Sequence, residues 1–221
     1  PFVLREILKI CLMNNSRMSS KMVRKRSPEE KVGVFGLKNG HMNVIEYSDL
    51  QEEDMYKRDE SGRLVYNAGS IAIHIIDLDF AEEQAEGGRL PYHVAHKKIP
   101  RVDETGRIVH PDNPNGYKFE KFIFDALPNA GDSAVMEVER NKEFSPVKNR
   151  SGAASPATAK QDLSNYFGSW LEKAGIQVTR DSDGNVKGKI EVSPLFALNE
   201  EEFLSRDLSG LEVKDAVYFK A

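Results

Sequence analysis

Apolar residues Leu4, Ile7, Leu8, Cys11 and Leu12 recur at helical spacing through "PFVLREILKICLM", predicting an opening helix with one face to bury. Arg5, Glu6 and Lys9 interrupt the run, so it fails as a signal-peptide core. "KMVRK" and "KVGVFGL" then read as strands. Asn39-Gly40 joins the second to "HMNVIEYSD" as an antiparallel hairpin, because Asn-Gly supplies the positive φ values of a tight turn. "DMYKRDESGRL" reads as a polar loop. The apolar run "VYNAGSIAIHIIDLDF" follows, divided in two by Gly69. "LPYHVAHKKIP" fits either element type, and "DETGRIVHPDNPNG" is turn-rich. From Tyr117, residues Phe119, Phe122, Ile123 and Leu127 predict a helix ending at Pro128. "SAVMEVERNKEF" predicts a strand, and "NRSGAASPATAK" a mobile linker. Ser155 and Pro156 suit the cap and first position of a helix that carries Leu163, Tyr166, Phe167, Trp170 and Leu171 on one face and stops at Gly175. Trp170 is thereby assigned to a core. "IQVTRDSDGNVKGKIEVSPLF" predicts a second hairpin, with a short helix and strand to follow and no internal repeat.

Composition narrows the classes. The 221 residues, 39% hydrophobic and 30% charged, suit a soluble globular chain of one or two domains, and a net charge of -4 gives no reason to expect nucleic acid. The basic run Arg24 to Arg26 is followed by acids and reads as a solvated strand end. No apolar segment approaches the roughly 20 residues that a bilayer requires. One cysteine allows no internal disulfide, which fits a reducing compartment and a cytoplasmic location.

Three local patterns invite chemistry and have plainer readings. His93 and His96 in "HVAH" lack a third metal ligand nearby. Asp77 and Asp79 in "DLD" imitate the acidic pair of metal-dependent glycosyltransferases, yet fit an ordinary element end. "EGGRLPY" lacks the third glycine and the following helix of a phosphate loop.

A more specific signal is six phrases in order: "EKVGV", "VIEYSDL", "GRLVYNAGSIAIH", "HVAHKKIP", "PNGYKFEKFIFDAL" and "EFSPVKN". Together they resemble the eukaryotic-type UDP-sugar pyrophosphorylases, most of all those acting on UDP-N-acetylhexosamines. The resemblance covers residues 23–149 and continues less clearly through the Ser155 helix. It implies the C-terminal half of such an enzyme, because the glycine-rich "GTR" loop and the magnesium-holding aspartate of that family lie upstream of the matched region. The expected fold is α/β: the later half of a Rossmann-like nucleotidyltransferase domain with a mixed sheet over residues 1–150, then a linker, helix and small β-rich domain over 151–221.

The same resemblance implies roles. Gly33 is the glycine whose backbone approaches the sugar, Glu46 accepts bonds from sugar hydroxyls, and Phe122 and Phe124 lie near the acetamido end. Lys148 reaches the phosphates. Glu46 also fits an exposed strand, and Phe122 a buried helix stripe. The family's "NAGN" is "NAGS" here, so Ser70 stands where an amide contacts the sugar, with Asn67 nearby. The charge argument for Lys148 needs no family: phosphoryl transfer demands charge compensation, and a lysine fixed after Ser-Pro supplies a positioned cation. UTP and N-acetylglucosamine 1-phosphate are the implied substrates and Mg2+ the cofactor, its ligands outside this chain, which alone is expected to be inactive. A non-catalytic sugar-phosphate module and a glycosyltransferase using Asp77 and Asp79 are the alternatives.

Overall fold

The computed structural model describes residues 2–86, 88, 90–211, 213 and 215–220, with side chains from residue 6 onward. Gly87 and Arg89 of "EGGRLPY" lie outside the described residues. The chain divides into two compact units, Lys9–Met136 and Pro1–Leu8 with Glu137–Ala221. Residues 137–150, grouped by sequence with the first module, thus fall with the second unit.

Helix α1 spans Phe2–Met13. Ile7 and Cys11 are buried while Leu8 and Leu12 are exposed, so the covered face is narrower than its apolar stripe. Strands β1 (Met18–Arg24), β2 (Val34–Lys38) and β3 (His41–Ile45) follow. Asn39 and Gly40 adopt φ 53° and 81°, making the β2–β3 hairpin tight and antiparallel as the sequence predicts. A short helix α2 (Glu52–Met55) precedes β4 (Ala68–Ile76) and α3 (Leu78–Ala85). Gly69 does not break the run as expected. A Cβ there would lie 3.0 Å from the Val23 carbonyl oxygen and 3.1 Å from Val32 Cγ2, so the missing side chain permits a close crossing inside one continuous strand.

Strands β5 (His93–Lys97), β6 (Arg101–Val102), β7 (Ile108–Val109) and β8 (Gly116–Glu120) come next. The helix expected from Tyr117 is instead β8, paired antiparallel with β5, followed by a 3-10 helix over Ile123–Asn129. Pairing with β5 outweighs the local periodicity, as cross-strand contacts often do. Strand β9 (Val135–Glu137) completes a five-stranded sheet of order β3-β2-β4-β1-β9. The β1–β4, β2–β4 and β2–β3 pairs are antiparallel. Met18, Met22, Phe35, Phe80 and Leu127 form the core on this sheet.

In the second unit, only the start of "SAVMEVERNKEF" is strand; Arg140–Glu143 forms the short helix α4. Helix α5 (Pro156–Lys173) obeys its sequence closely: Ser155 and Thr158 exchange the bonds of a capping box, and Gly175 turns the chain at φ 80°. Five of the twelve residues of "NRSGAASPATAK", Pro156 to Lys160, are therefore the start of α5. The predicted second hairpin is reduced to one antiparallel bridge, Arg180 with Val186, closed around the Asp183-Gly184 turn. Strand β10 (Lys189–Val192) pairs in parallel with β11 (Ala216–Phe219), with α6 (Glu200–Leu204) between them in sequence. Trp170 is 3% exposed, packed with Leu171, Ile190, Phe203 and Phe219, which bears out its core assignment. The chain is thus mixed α/β, with antiparallel and parallel pairings both present.

One local structure recurs three times and corrects the expectation of no repeat. "RDESGRL" (58–64), "VDETGRI" (102–108) and "RDSDGNV" (180–186) each close a turn on an aspartate. Oδ1 of Asp59, Asp103 and Asp181 accepts from the backbone N–H groups two and four residues on, at 2.8 to 3.0 Å. Gly62, Gly106 and Gly184 all adopt φ near +81°, which a side chain would resist.

Candidate functional site

The residues singled out from sequence fall into three places. Gly33 lies just before β2, and its carbonyl accepts from the Ser70 N–H at 2.8 Å. A Cβ on Gly33 would stand 2.7 Å from Val44 Cγ1 and 3.0 Å from Glu46 Oε1. The Glu46 carboxylate is therefore laid against bare backbone at the end of β3, which only glycine allows. Gly33 and Glu46 meet across the base of the β2–β3 hairpin, and Ser70 joins them from β4.

Ser70 sits beside an irregularity that sequence reasoning missed. Ser20 faces His74 and Met22 faces Ser70, so residues 71–73 of β4 oppose Lys21 alone. Ala72 takes φ 57° within this bulge, a conformation uncommon for alanine. The strand bends there and aims Ser70 and His74 differently from a regular ladder. Lys21, 2% exposed, and Ser19 and Ser20, fully buried, give this part of the sheet a polar interior. Ser20 Oγ and His74 Nδ1 are hydrogen-bonded at 2.8 Å, and burial lowers the His74 pKa below its ordinary value. The signal available was the run of small and polar residues "SSK" inside an otherwise apolar strand.

Asn67 points its amide nitrogen elsewhere, donating to the Leu64 carbonyl at 2.6 Å, while its own carbonyl accepts from Lys25 and Gly69. It fastens the turn before β4.

Phe122 and Phe124 stack on each other at 4.9 Å, and His93 leans on Phe122 at 4.7 Å. His93 Nε2 is 2.7 Å from Asp125 Oδ2. Phe122 precedes the 3-10 helix in an extended conformation and is only half-buried, so it is not part of a buried helix stripe. The 3-10 helix packs against β3, the strand leading to Glu46. Because β5 is a strand, His93 and His96 face opposite sides: His96 stacks on Tyr117.

Lys148 belongs to the second unit and is exposed. Its N–H and that of Asn149 both donate to the Ala154 carbonyl, at 2.7 and 2.9 Å, closing residues 148–154 into a loop. Ser145 Oγ donates to Asp162 Oδ2 at 2.6 Å, tying the same segment to α5.

Asp77 caps α3, its Oδ1 accepting from the Phe80 N–H at 3.0 Å, which matches the element-end reading of "DLD". Among the described residues no group of three or more His, Cys, Asp or Glu side chains is placed to hold a metal, and no helix is long and apolar enough to cross a membrane.

Fold and site together define an α/β chain that presents a carboxylate over bare glycine backbone, on a strand packed against a segment with paired aromatics. A family model described as UTP–glucose-1-phosphate uridylyltransferase matches residues 2–163, and the chain belongs to that family. It is 41% identical over 189 residues to "Probable UDP-N-acetylglucosamine pyrophosphorylase" of Dictyostelium discoideum, covering 82% of this chain and 38% of that protein. It is 41% identical over 219 residues to UDP-N-acetylhexosamine pyrophosphorylase-like protein 1 of Homo sapiens, covering 92% of this chain and 42% of the human protein. The crystal structure of the UDP-N-acetylglucosamine pyrophosphorylase from Trypanosoma brucei in complex with inhibitor superposes with TM-score 0.72 at 25% identity, over 97% of this chain and 45% of that one. The chain thus spans less than half the length of these relatives. The resemblance read from six phrases holds.

Proposed function

We propose that this chain forms the sugar-phosphate side of a nucleotidyltransferase that joins UTP to N-acetylglucosamine 1-phosphate. A phosphate oxygen of the sugar 1-phosphate attacks the α-phosphorus of UTP, one P–O bond forms, the bond to the β-phosphate oxygen breaks, and pyrophosphate leaves. The observation that carries this reading is the Glu46 carboxylate against Gly33, with Ser70 bonded to the same glycine. A carboxylate accepts from several hydroxyls, the pattern a pyranose presents. Phe122 and Phe124 offer an apolar face to the acetamido methyl, and Lys148 compensates phosphate charge. A magnesium ion serving the reaction takes its protein ligands from outside this chain, and the site of action is the cytoplasm. The names of the aligned relatives support the choice of substrate.

The 221-residue chain alone should bind the sugar phosphate without turning over UTP. Calorimetric titration with N-acetylglucosamine 1-phosphate tests the first half. Glu46→Ala should weaken binding by roughly 1–3 kcal/mol, the range for a hydrogen-bonding group lost from a buried polar contact. Equal affinity in the variant would return Glu46 to an ordinary strand end. In an enzyme completed with the upstream region of its relatives, Lys148→Ala should lower kcat with the fold intact. A completed protein that binds the sugar phosphate yet never consumes UTP would mark a non-catalytic module.

A further inference from the structure

Beyond the sugar-facing residues, the first unit holds a cavity of about 270 Å³ between the end of β1 and the Asp59 turn. Arg24, Lys25, Arg26, Arg58 and Arg63 all line it, with Asn67 at one side, and no acidic residue is among its lining residues. Five cations around one concavity in a chain of net charge -4 is not the outcome of overall composition.

Three of the five cations, Arg58, Arg63 and Lys25, are held in place by the fold. Arg58 Nη1 donates to the Gly62 carbonyl at 2.8 Å, and Arg63 Nε to Ser61 Oγ at 2.8 Å, so both guanidinium groups are fastened to the turn by one edge. Asp59 Oδ2 stands 3.4 Å from Arg63 Nε inside the turn. Lys25 is 9% exposed and gives one ammonium N–H to the Pro28 carbonyl at 2.8 Å, which leaves two for another acceptor. Loss of hydration lowers the Lys25 pKa, against the attraction of Glu30 and Glu29. A buried ammonium held mainly by a neutral carbonyl gains from an anion that enters beside it.

We propose that this cavity is a binding site for a compact phosphate-bearing metabolite, separate from the site that takes the sugar phosphate. Guanidinium groups match phosphate oxygens two at a time, and the volume admits a small polyanion, being just below the usual range of ligand pockets. Of the residues that the sequence placed at the substrate, Asn67 lines the cavity, but its amide nitrogen is engaged by the Leu64 carbonyl; Gly33, Glu46, Ser70, Phe122, Phe124 and Lys148 do not line it, so the inference does not depend on the reaction proposed above.

Titration of the 221-residue chain with inorganic phosphate, pyrophosphate and a hexose 6-phosphate, at ionic strength held constant with chloride, tests it. Saturable binding of at least one probe is expected. Arg58→Gln/Arg63→Gln should weaken that binding at least about tenfold, the factor that 1.4 kcal/mol represents. Arg24→Gln/Arg26→Gln, at the strand end, should do the same and serves if the first variant misfolds. Glu46→Ala and Lys148→Ala should leave the affinity within about twofold, so failure of the sugar-phosphate site reads out separately from failure of this one. No saturable binding of any probe, or binding unchanged in a folded variant of either pair, overturns the proposal. Loss in Lys148→Ala alone also overturns it, by assigning the phosphate to the other unit. The rank of the three probes separates a free phosphate ligand from a phosphorylated sugar.

Discussion

The two units bury different materials. The second closes on aromatic rings: Phe203 is fully buried and meets Trp170, Phe196 and Phe219 at 5.1 to 5.9 Å. The first buries Ser19, Ser20 and Lys21 in the middle of β1, bends β4 at Ala72, and brings Gly69 against the Val23 carbonyl. Rings in contact supply apolar area and little chemistry. Buried hydroxyls and a bulge contribute less packing but orient polar groups, and the candidate sugar contacts lie in that unit, with Lys148, assigned to phosphate, in the other. One unit is built for cohesion and the other for presenting polar atoms.

The sharpest way to break this contrast is Phe203→Ala. Trp170 is the only tryptophan, so its fluorescence follows the second unit alone. Removing the ring should cost about 3–5 kcal/mol in urea unfolding read by that signal. A loss below about 1 kcal/mol would show that the aromatic cluster is not what holds the unit. Next in size is Gly69→Ala, which drives a methyl to 3.0 Å from a backbone oxygen and should cost about 1–3 kcal/mol. Hydrogen exchange in β1 and β4 should rise while the tryptophan transition stays put. A shift of both would join what the contrast separates.

A smaller effect is expected from pH. Burial depresses the His74 pKa in the folded chain, so the unfolded chain binds the proton first on acidification. The stabilisation is complete above the ordinary histidine value of about 6.5 and is lost as pH falls through it toward the folded value. His74→Gln should flatten the fall in first-unit stability between about pH 7 and 5, measured by hydrogen exchange. An unchanged slope would place the acid sensitivity elsewhere. Smallest of all, Lys148→Ala should leave the tryptophan transition within about 0.5 kcal/mol, as an exposed loop side chain does.

The same contrast explains what was legible. Helix α5 could be read from Ser155 to Gly175 because cap, stripe and stop are local signals that agree. The β2–β3 turn was legible for the same reason. What failed depended on partners distant in sequence: β8 takes its form from β5, Gly69 from Val23 and Val32, and β10 from β11. Family phrases singled out Gly33 and Glu46 but not their contact, which the structure supplies, and the bulge at Ala72 has no sequence signature in alanine, a residue that seldom adopts its φ. The basic run at Arg24 to Arg26 read as a solvated end, which holds for the exposed Arg24 and Arg26 but not for buried Lys25, and the arginines that share its cavity lie more than thirty positions downstream.

The three aspartate turns have a consequence for how the chain could be edited. Each is a seven-residue cassette with the same internal bonds, the same glycine geometry, and ends that meet across an antiparallel bridge or strand pair. Their carboxylates are all held below the usual range, Asp59 and Asp103 first by the neighbouring hydroxyls of Ser61 and Thr105, and Asp181 by the Asn185 N–H. The closing bonds of each lie inside the segment, so the turn itself is portable, although Asn185 and Val186 of the third also bond to Asn165 on α5. "VDETGRI", whose strand residues are exposed, is the copy suited to serve as a ready-made corner, while Arg180 of "RDSDGNV" also pairs with Glu172 and the arginines of "RDESGRL" line the basic cavity.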